Sequence, residues 1–142
     1  MKHRKNTAFF IETLLLTLFV LALCTVLVRL FAAARLRSAQ AQELTAAQQI
    51  AQNVSESFYA SASEEQFWQL LGASNPPAEG EALTLAVDSQ GRPDPIGAYA
   101  LELTLEHESA QAGQTARLTL QLSGSGGQSL FEGTFDRYLP GA

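Results

Sequence analysis

Ala8-Phe9-Phe10-Ile11-Glu12-Thr13-Leu14-Leu15-Leu16-Thr17-Leu18-Phe19-Val20-Leu21-Ala22-Leu23-Cys24-Thr25-Val26-Leu27-Val28 is a run of 21 residues whose only charge is Glu12. Leu, Phe, Val, Ile and Ala dominate it, no Pro or Gly interrupts it, and its apolar residues fall on every face of a helix. At 1.5 Å rise per residue the run reaches roughly 30 Å, the thickness of a bilayer core. It reads as one transmembrane helix, residues 8–31, behind a basic leader, residues 1–7, that opens Met1-Lys2-His3-Arg4-Lys5.

Charge separates this segment from the rest of the chain. Up to Arg37 there are six basic residues and one acid, a net charge of +5; from Ser38 to Ala142 there are three basic residues and thirteen acids, a net charge of −10. The pI of 4.9 therefore averages two unlike parts. Three basic residues stand on either side of the span, so their count alone gives no orientation. The large acidic part after the span favours a cytoplasmic N-terminus and an extracytoplasmic remainder. A secretory signal peptide cut at Ala32-Ala33-Ala34 is disfavoured by the length of the apolar run, by Glu12 and by Arg29. A lipid anchor at Cys24 is disfavoured by bulky Leu23 before it.

The run Lys5-Asn6-Thr7-Ala8-Phe9-Phe10-Ile11-Glu12-Thr13-Leu14-Leu15-Leu16 resembles the N-terminus of type IV pilins and pseudopilins. In that family a short basic leader is removed by a prepilin peptidase, and the apolar helix that follows carries Glu as its fifth mature residue. The resemblance implies a cut between Thr7 and Ala8, which makes Ala8 the new terminus and Glu12 the fifth residue. The family has Gly before the cut where this chain has Thr7; a cut after Ala8 would make Glu12 fourth. The resemblance further implies a filament subunit whose helices pack together, with Glu12 of one copy pairing with the free amine of a neighbour and setting register. Its partners would be the lipid bilayer, the prepilin peptidase and other pilin-like subunits or a second copy. The implied setting is a bacterial secretion, DNA-uptake or surface filament system, type II secretion among them. The alternative reading is an unprocessed, single-pass anchored binding module in which Glu12 lies at the membrane interface.

Beyond the span, residues 32–62 hold no Gly or Pro and are rich in Ala, Gln, Leu and Glu, which predicts an extracytoplasmic stalk helix. Leu36, Leu44, Ala47, Ile50 or Ala51, Val54 and Phe58 recur every three or four residues as one narrow stripe. The stripe needs a cover, either a sheet or, in a plain anchor, a homodimeric coiled coil; a repeat of about three heptads favours the sheet. Residues 63–142 then form a small head. Ser63-Glu64-Glu65-Gln66 has capping-box spacing and predicts a short helix through Trp68, a core residue, stopping at Gly72. Asn75-Pro76-Pro77 ends helical structure.

From Leu83 the apolar period changes to two: Leu83–Val87, Tyr99–Glu106, Ala116–Leu122 and Leu130–Tyr138, with Phe131 and Phe135 on one face, predict four short strands in an antiparallel meander. The fold class expected is α+β, a long N-terminal helix packed on a small four-stranded antiparallel sheet.

The chemistry-bearing residues are few. One Cys and two His exclude an internal disulfide, a thiolate zinc cluster and a multi-histidine metal site. Asp88 and Asp94 flank Gly91 without the spacing of a calcium loop, and His107 reads as a loop residue beside Glu106 and Glu108 with no nucleophile placed by sequence. No phosphate-binding loop and no nucleic-acid patch is evident, no cofactor is expected, and the chain is expected to be non-enzymatic.

Overall fold

The computed structural model describes residues 2–73, 75–110 and 113–140, without the side chains of residues 2–6, 110 and 140. Of the basic leader, Met1 and the side chains that carry its charge lie outside the described residues. The architecture is α+β: one long apolar N-terminal helix, a short helix and four antiparallel strands. Helix α1 is Lys2–Ala60, α2 is Glu64–Leu70, and the strands are β1 (Ala82–Val87), β2 (Tyr99–Ala110), β3 (Gly113–Ser123) and β4 (Ser129–Pro140). By its internal contacts the chain divides into two compact units, Met1–Ala41 and Gln42–Ala142, each taken by itself below.

In the first unit the apolar side chains of α1 are exposed on all sides, from Phe9 and Phe10 through Leu18 and Leu21 to Leu30 and Phe31. The helix is long and apolar enough to cross a membrane. Three of its threonines are satisfied within the helix: Thr13, Thr17 and Thr25 donate their hydroxyls to the carbonyls four residues back, at 2.8–2.9 Å. None of these threonines carries an unpaired donor into an apolar surround.

In the second unit the C-terminal part of α1 covers one face of the sheet. Ala47, Ile50, Ala51, Val54 and Phe58 are buried, and they meet Val87 from β1, Leu101, Leu103 and Leu105 from β2, and Ala116, Leu118, Leu120 and Leu122 from β3. Each of these leucines is at most 4% exposed. Complete burial of such a side chain is worth about 1.5–3 kcal/mol. The opposite face carries Glu102, Glu106, Arg117, Gln121, Glu132 and Asp136 to solvent, as period-two alternation requires. The meander order is β1-β2-β3-β4. A register shift at Leu122/Ser123 marks the entry to β4.

Helix α2 forms where the capping pattern places it. Ser63 Oγ accepts from the Gln66 amide at 3.2 Å, and Gln66 Oε1 accepts in return from the amide of Ala62, one residue before the cap, at 2.8 Å. At the other end the amide of Ala73 donates to Trp68 O and that of Gly72 to Gln69 O. This is a Schellman stop, in which Gly72 supplies the positive φ of 76°. Trp68, 1% exposed, is core, and its indole N–H donates to Glu64 Oε1 at 3.2 Å.

Several expectations are corrected. Leu36 and Leu44 do not belong to the buried stripe; they are 68% and 51% exposed, because cover for the helix begins only at Ala47. The stalk helix ends at Ala60, not at residue 62. The sheet is less small than its apolar cores imply: β2 and β4 run 12 residues and β3 runs 11, since polar ends extend the pairing beyond the alternating leucines. His107 is not in a loop but within β2, paired with Ala116 of β3.

Candidate functional site

In the first unit, Thr7, Ala8 and Glu12 all lie on α1 and are exposed. Glu12 sits in a shallow apolar groove along one helix face, formed with Ala8, Ile11, Leu15, Leu16 and Phe19. The spacing is the cause: Ala8, Leu15, Leu16 and Phe19 stand four residues before and three, four and seven residues after Glu12. Among the described side chains, which begin at Thr7, no cation comes within salt-bridge distance of it. A carboxylate in such a setting costs a few kcal/mol within a bilayer unless a partner reaches it. Chemically the groove can do one thing, which is to receive a positive or hydrogen-donating group against an otherwise apolar helix.

In the second unit the turn after β1 is closed upon itself. Asp88 Oδ1 accepts from the amides of Gln90 and Arg92 at 2.8 and 2.9 Å, and Oδ2 from Arg92 Nε at 3.2 Å. The Arg92 amide, then that of Gln90 and the Arg92 guanidinium, hold the Asp88 carboxyl below its ordinary value. Asp94 Oδ1 accepts from the Ile96 amide at 3.0 Å. These carboxylates are spent on the turn. Among the described residues no group of three or more His, Cys, Asp or Glu side chains is placed to hold a metal ion.

On the solvent face of the sheet, Arg117 donates from Nε to Asp136 Oδ1 at 2.9 Å, with Glu108 at 3.8 Å. That hydrogen bond and these charges raise the Arg117 pKa further.

Arg137, which sequence reasoning passed over, and His107, which it read as a loop residue, gather on the inner face. Arg137 of β4 donates through Nη1 to the carbonyls of Phe58 and Ser61, each at 2.6 Å, and its guanidinium lies 5.0 Å from the Phe58 ring centroid. A cation there adds a donor to the Phe58 carbonyl, which also accepts from Ser61 Oγ at 3.0 Å, and to that of Ser61 just past the helix, and it opposes the negative end of the helix dipole. His107 stands between Glu79 at 3.6 Å and Glu64 at 3.9 Å. The signal for both was parity, since His107 shares the odd-numbered face of Leu101, Leu103 and Leu105, and Arg137 that of Phe131 and Phe135. Their neighbours across strands depend on register, which parity alone does not supply. No family model matches this chain, and no curated protein or solved structure matches it either.

Proposed function

We propose that the chain is a non-enzymatic pilin-like or pseudopilin-like subunit of a bacterial secretion, DNA-uptake or surface filament system, inserted and assembled through its N-terminal helix. The observation that carries this reading is Glu12, a single carboxylate five residues into an apolar run counted from Ala8, exposed in a groove of apolar side chains. A long apolar helix joined to an antiparallel meander is compatible with such a subunit. In this reading the N-terminus is cytoplasmic, the head of residues 63–142 is extracytoplasmic, a prepilin peptidase cuts between Thr7 and Ala8, and Glu12 pairs with a neighbouring subunit's amine. The small head and the atypical Thr7 favour a minor subunit.

Thr7, standing where the family has Gly, favours a second reading, an unprocessed single-pass anchored module whose sheet meets an extracytoplasmic partner. N-terminal sequencing and intact mass of the membrane-extracted protein, made in a host with a prepilin peptidase, separate the two. A chain beginning at Ala8, one methyl heavier where N-methylated, is the expected result. An intact Met1 terminus overturns the processed-subunit reading and leaves the anchored module. Given processing, Glu12→Ala should abolish assembly while leaving membrane insertion intact, as removal of a pairing group but not of the apolar helix requires.

A further inference from the structure

Between Glu12 and Glu43 the chain has no acidic residue, and its only charges in that stretch are Arg29, Arg35 and Arg37. Arg29 directly follows the apolar run, and the other two lie within about 12 Å of it along the axis, at 1.5 Å per residue. All three residues are exposed. Among the described side chains no carboxylate comes within salt-bridge distance of any of them. Three guanidiniums without an anion therefore follow the apolar run of a helix long and apolar enough to cross a membrane.

Their placement around the axis narrows what can supply the anion. At about 100° per residue, Arg37 stands about 80° and Arg35 about 240° round the helix from Arg29. A protein groove or a small anion approaches from one side and meets at most two of them, whereas a layer of headgroups surrounds the helix and meets all three. Direction favours the same partner. The Cα–Cβ bonds of an α-helix tilt toward its N-terminus, and the apolar run lies N-terminal to these arginines, so their side chains lean back toward the bilayer surface. The headgroup zone on each side of the hydrocarbon is roughly 5–8 Å deep, within the reach of an arginine stem. Leu30, Phe31 and Leu36, each at least 61% exposed, put apolar surface among the three charges, as an interfacial segment requires.

We propose that Arg29, Arg35 and Arg37 form a collar that binds anionic phospholipid headgroups, whose phosphate oxygens accept from the guanidiniums. The collar lies wholly in the first unit. It rests on the helix crossing a bilayer, which is part of the reading above, and not on leader cleavage or filament assembly.

The test reconstitutes the full chain in phosphatidylcholine vesicles with a trace of spin-labelled phosphatidylglycerol or spin-labelled phosphatidylcholine, and electron spin resonance reads the fraction of each label immobilised at the protein. Phosphatidylglycerol should be preferred at least about twofold in about 0.1 M NaCl. The preference should fade in about 1 M NaCl, as the Debye length drops from about 10 to about 3 Å. Arg29→Gln/Arg35→Gln/Arg37→Gln should remove most of it, and Arg29→Lys/Arg35→Lys/Arg37→Lys should retain it. Lys2→Gln/Arg4→Gln/Lys5→Gln, in the leader that precedes the span, should also retain it, and with the salt series this keeps the test decisive where the collar's Gln variant does not insert. Equal immobilisation of the two lipids by the inserted chain overturns the proposal and leaves the transmembrane helix standing. So does a preference that survives loss of the three arginines, or one that disappears with the leader charges. A chain that alkaline carbonate strips from the vesicles overturns the span and the collar together.

Discussion

Gly97 needs no left-handed backbone; it needs room. A Cβ at this position would overlap the backbone of Val87, including its carbonyl, and backbone cannot step aside as a flexible side chain can. Gly97→Ala should therefore cost about 1–3 kcal/mol, as overpacking does. Its neighbour Ile96 is 92% exposed, and Ile96→Ser should stay within about 0.5 kcal/mol. Chemical denaturation of the two variants checks both values. Asp88 makes a second test in the same turn, because the Arg92 and Gln90 amides hold its carboxyl below the ordinary value. A carboxyl with a lowered folded pKa adds stability above its unfolded value, about 3.9, and that stability is lost as pH falls through the folded value. Asp88→Asn keeps an acceptor oxygen but loses the charge. Thermal midpoints of the two proteins should differ near neutral pH and converge below about pH 4; a gap constant with pH would mean that the charge contributes nothing. The aspartates' local role was legible, since Asp before Gly and Pro signals a turn. The role of Arg137 was not, because nothing in its sequence neighbourhood reveals that the end of α1 lies across from it.

The stripe on α1 shows what periodicity can and cannot establish at the scale of an element. Three-and-four spacing runs from Leu36 to Phe58, and it correctly marks Ala47, Ile50, Ala51, Val54 and Phe58 as the face that meets the sheet. The same spacing at Leu36 and Leu44 leads nowhere, because a helix carries its period whether or not anything covers it. Where cover begins is set by the strands, which lie at least 38 positions further along the chain than Leu44. The contrast has a direct consequence for mutation. Ile50, 0% exposed, should cost about 2–5 kcal/mol on truncation to Ala, the usual range for a buried aliphatic. Leu44→Ala, at 51% exposure, should cost about 0.5 kcal/mol or less. Equal losses in denaturant unfolding would mean that Leu44 is covered in solution by something other than this sheet. The strands were read from their alternating leucines, so their positions were found and their lengths underestimated. Polar residues such as Ser109 and Gln114 extend the β2–β3 ladder through backbone bonds that need no apolar side chain.

Over the whole molecule, charge and hydrophobicity divide at nearly the same place, and the division bears on how copies associate. Residues 42–142 carry three basic and thirteen acidic side chains, a net charge of −10, around their own buried core. Units of that charge repel one another, so in the proposed subunit the attraction between copies is assigned to the apolar helix, with Glu12 as its one charged feature between Ala8 and Val28. Salt separates the two contributions. It screens exposed charges over a Debye length of about 10 Å at 0.1 M, whereas contacts within a bilayer are shielded from it. Copies labelled at Ser125→Cys in a Cys24→Ser background, reconstituted in vesicles of neutral lipid, should therefore show energy transfer that rises from low to high salt as head repulsion is screened. The opposite slope has its own meaning, because the first 37 residues carry a net charge of +5. Energy transfer that falls with salt would place the attraction between the basic segment of one copy and the acidic head of another, and would remove the apolar helix from its assigned role in assembly.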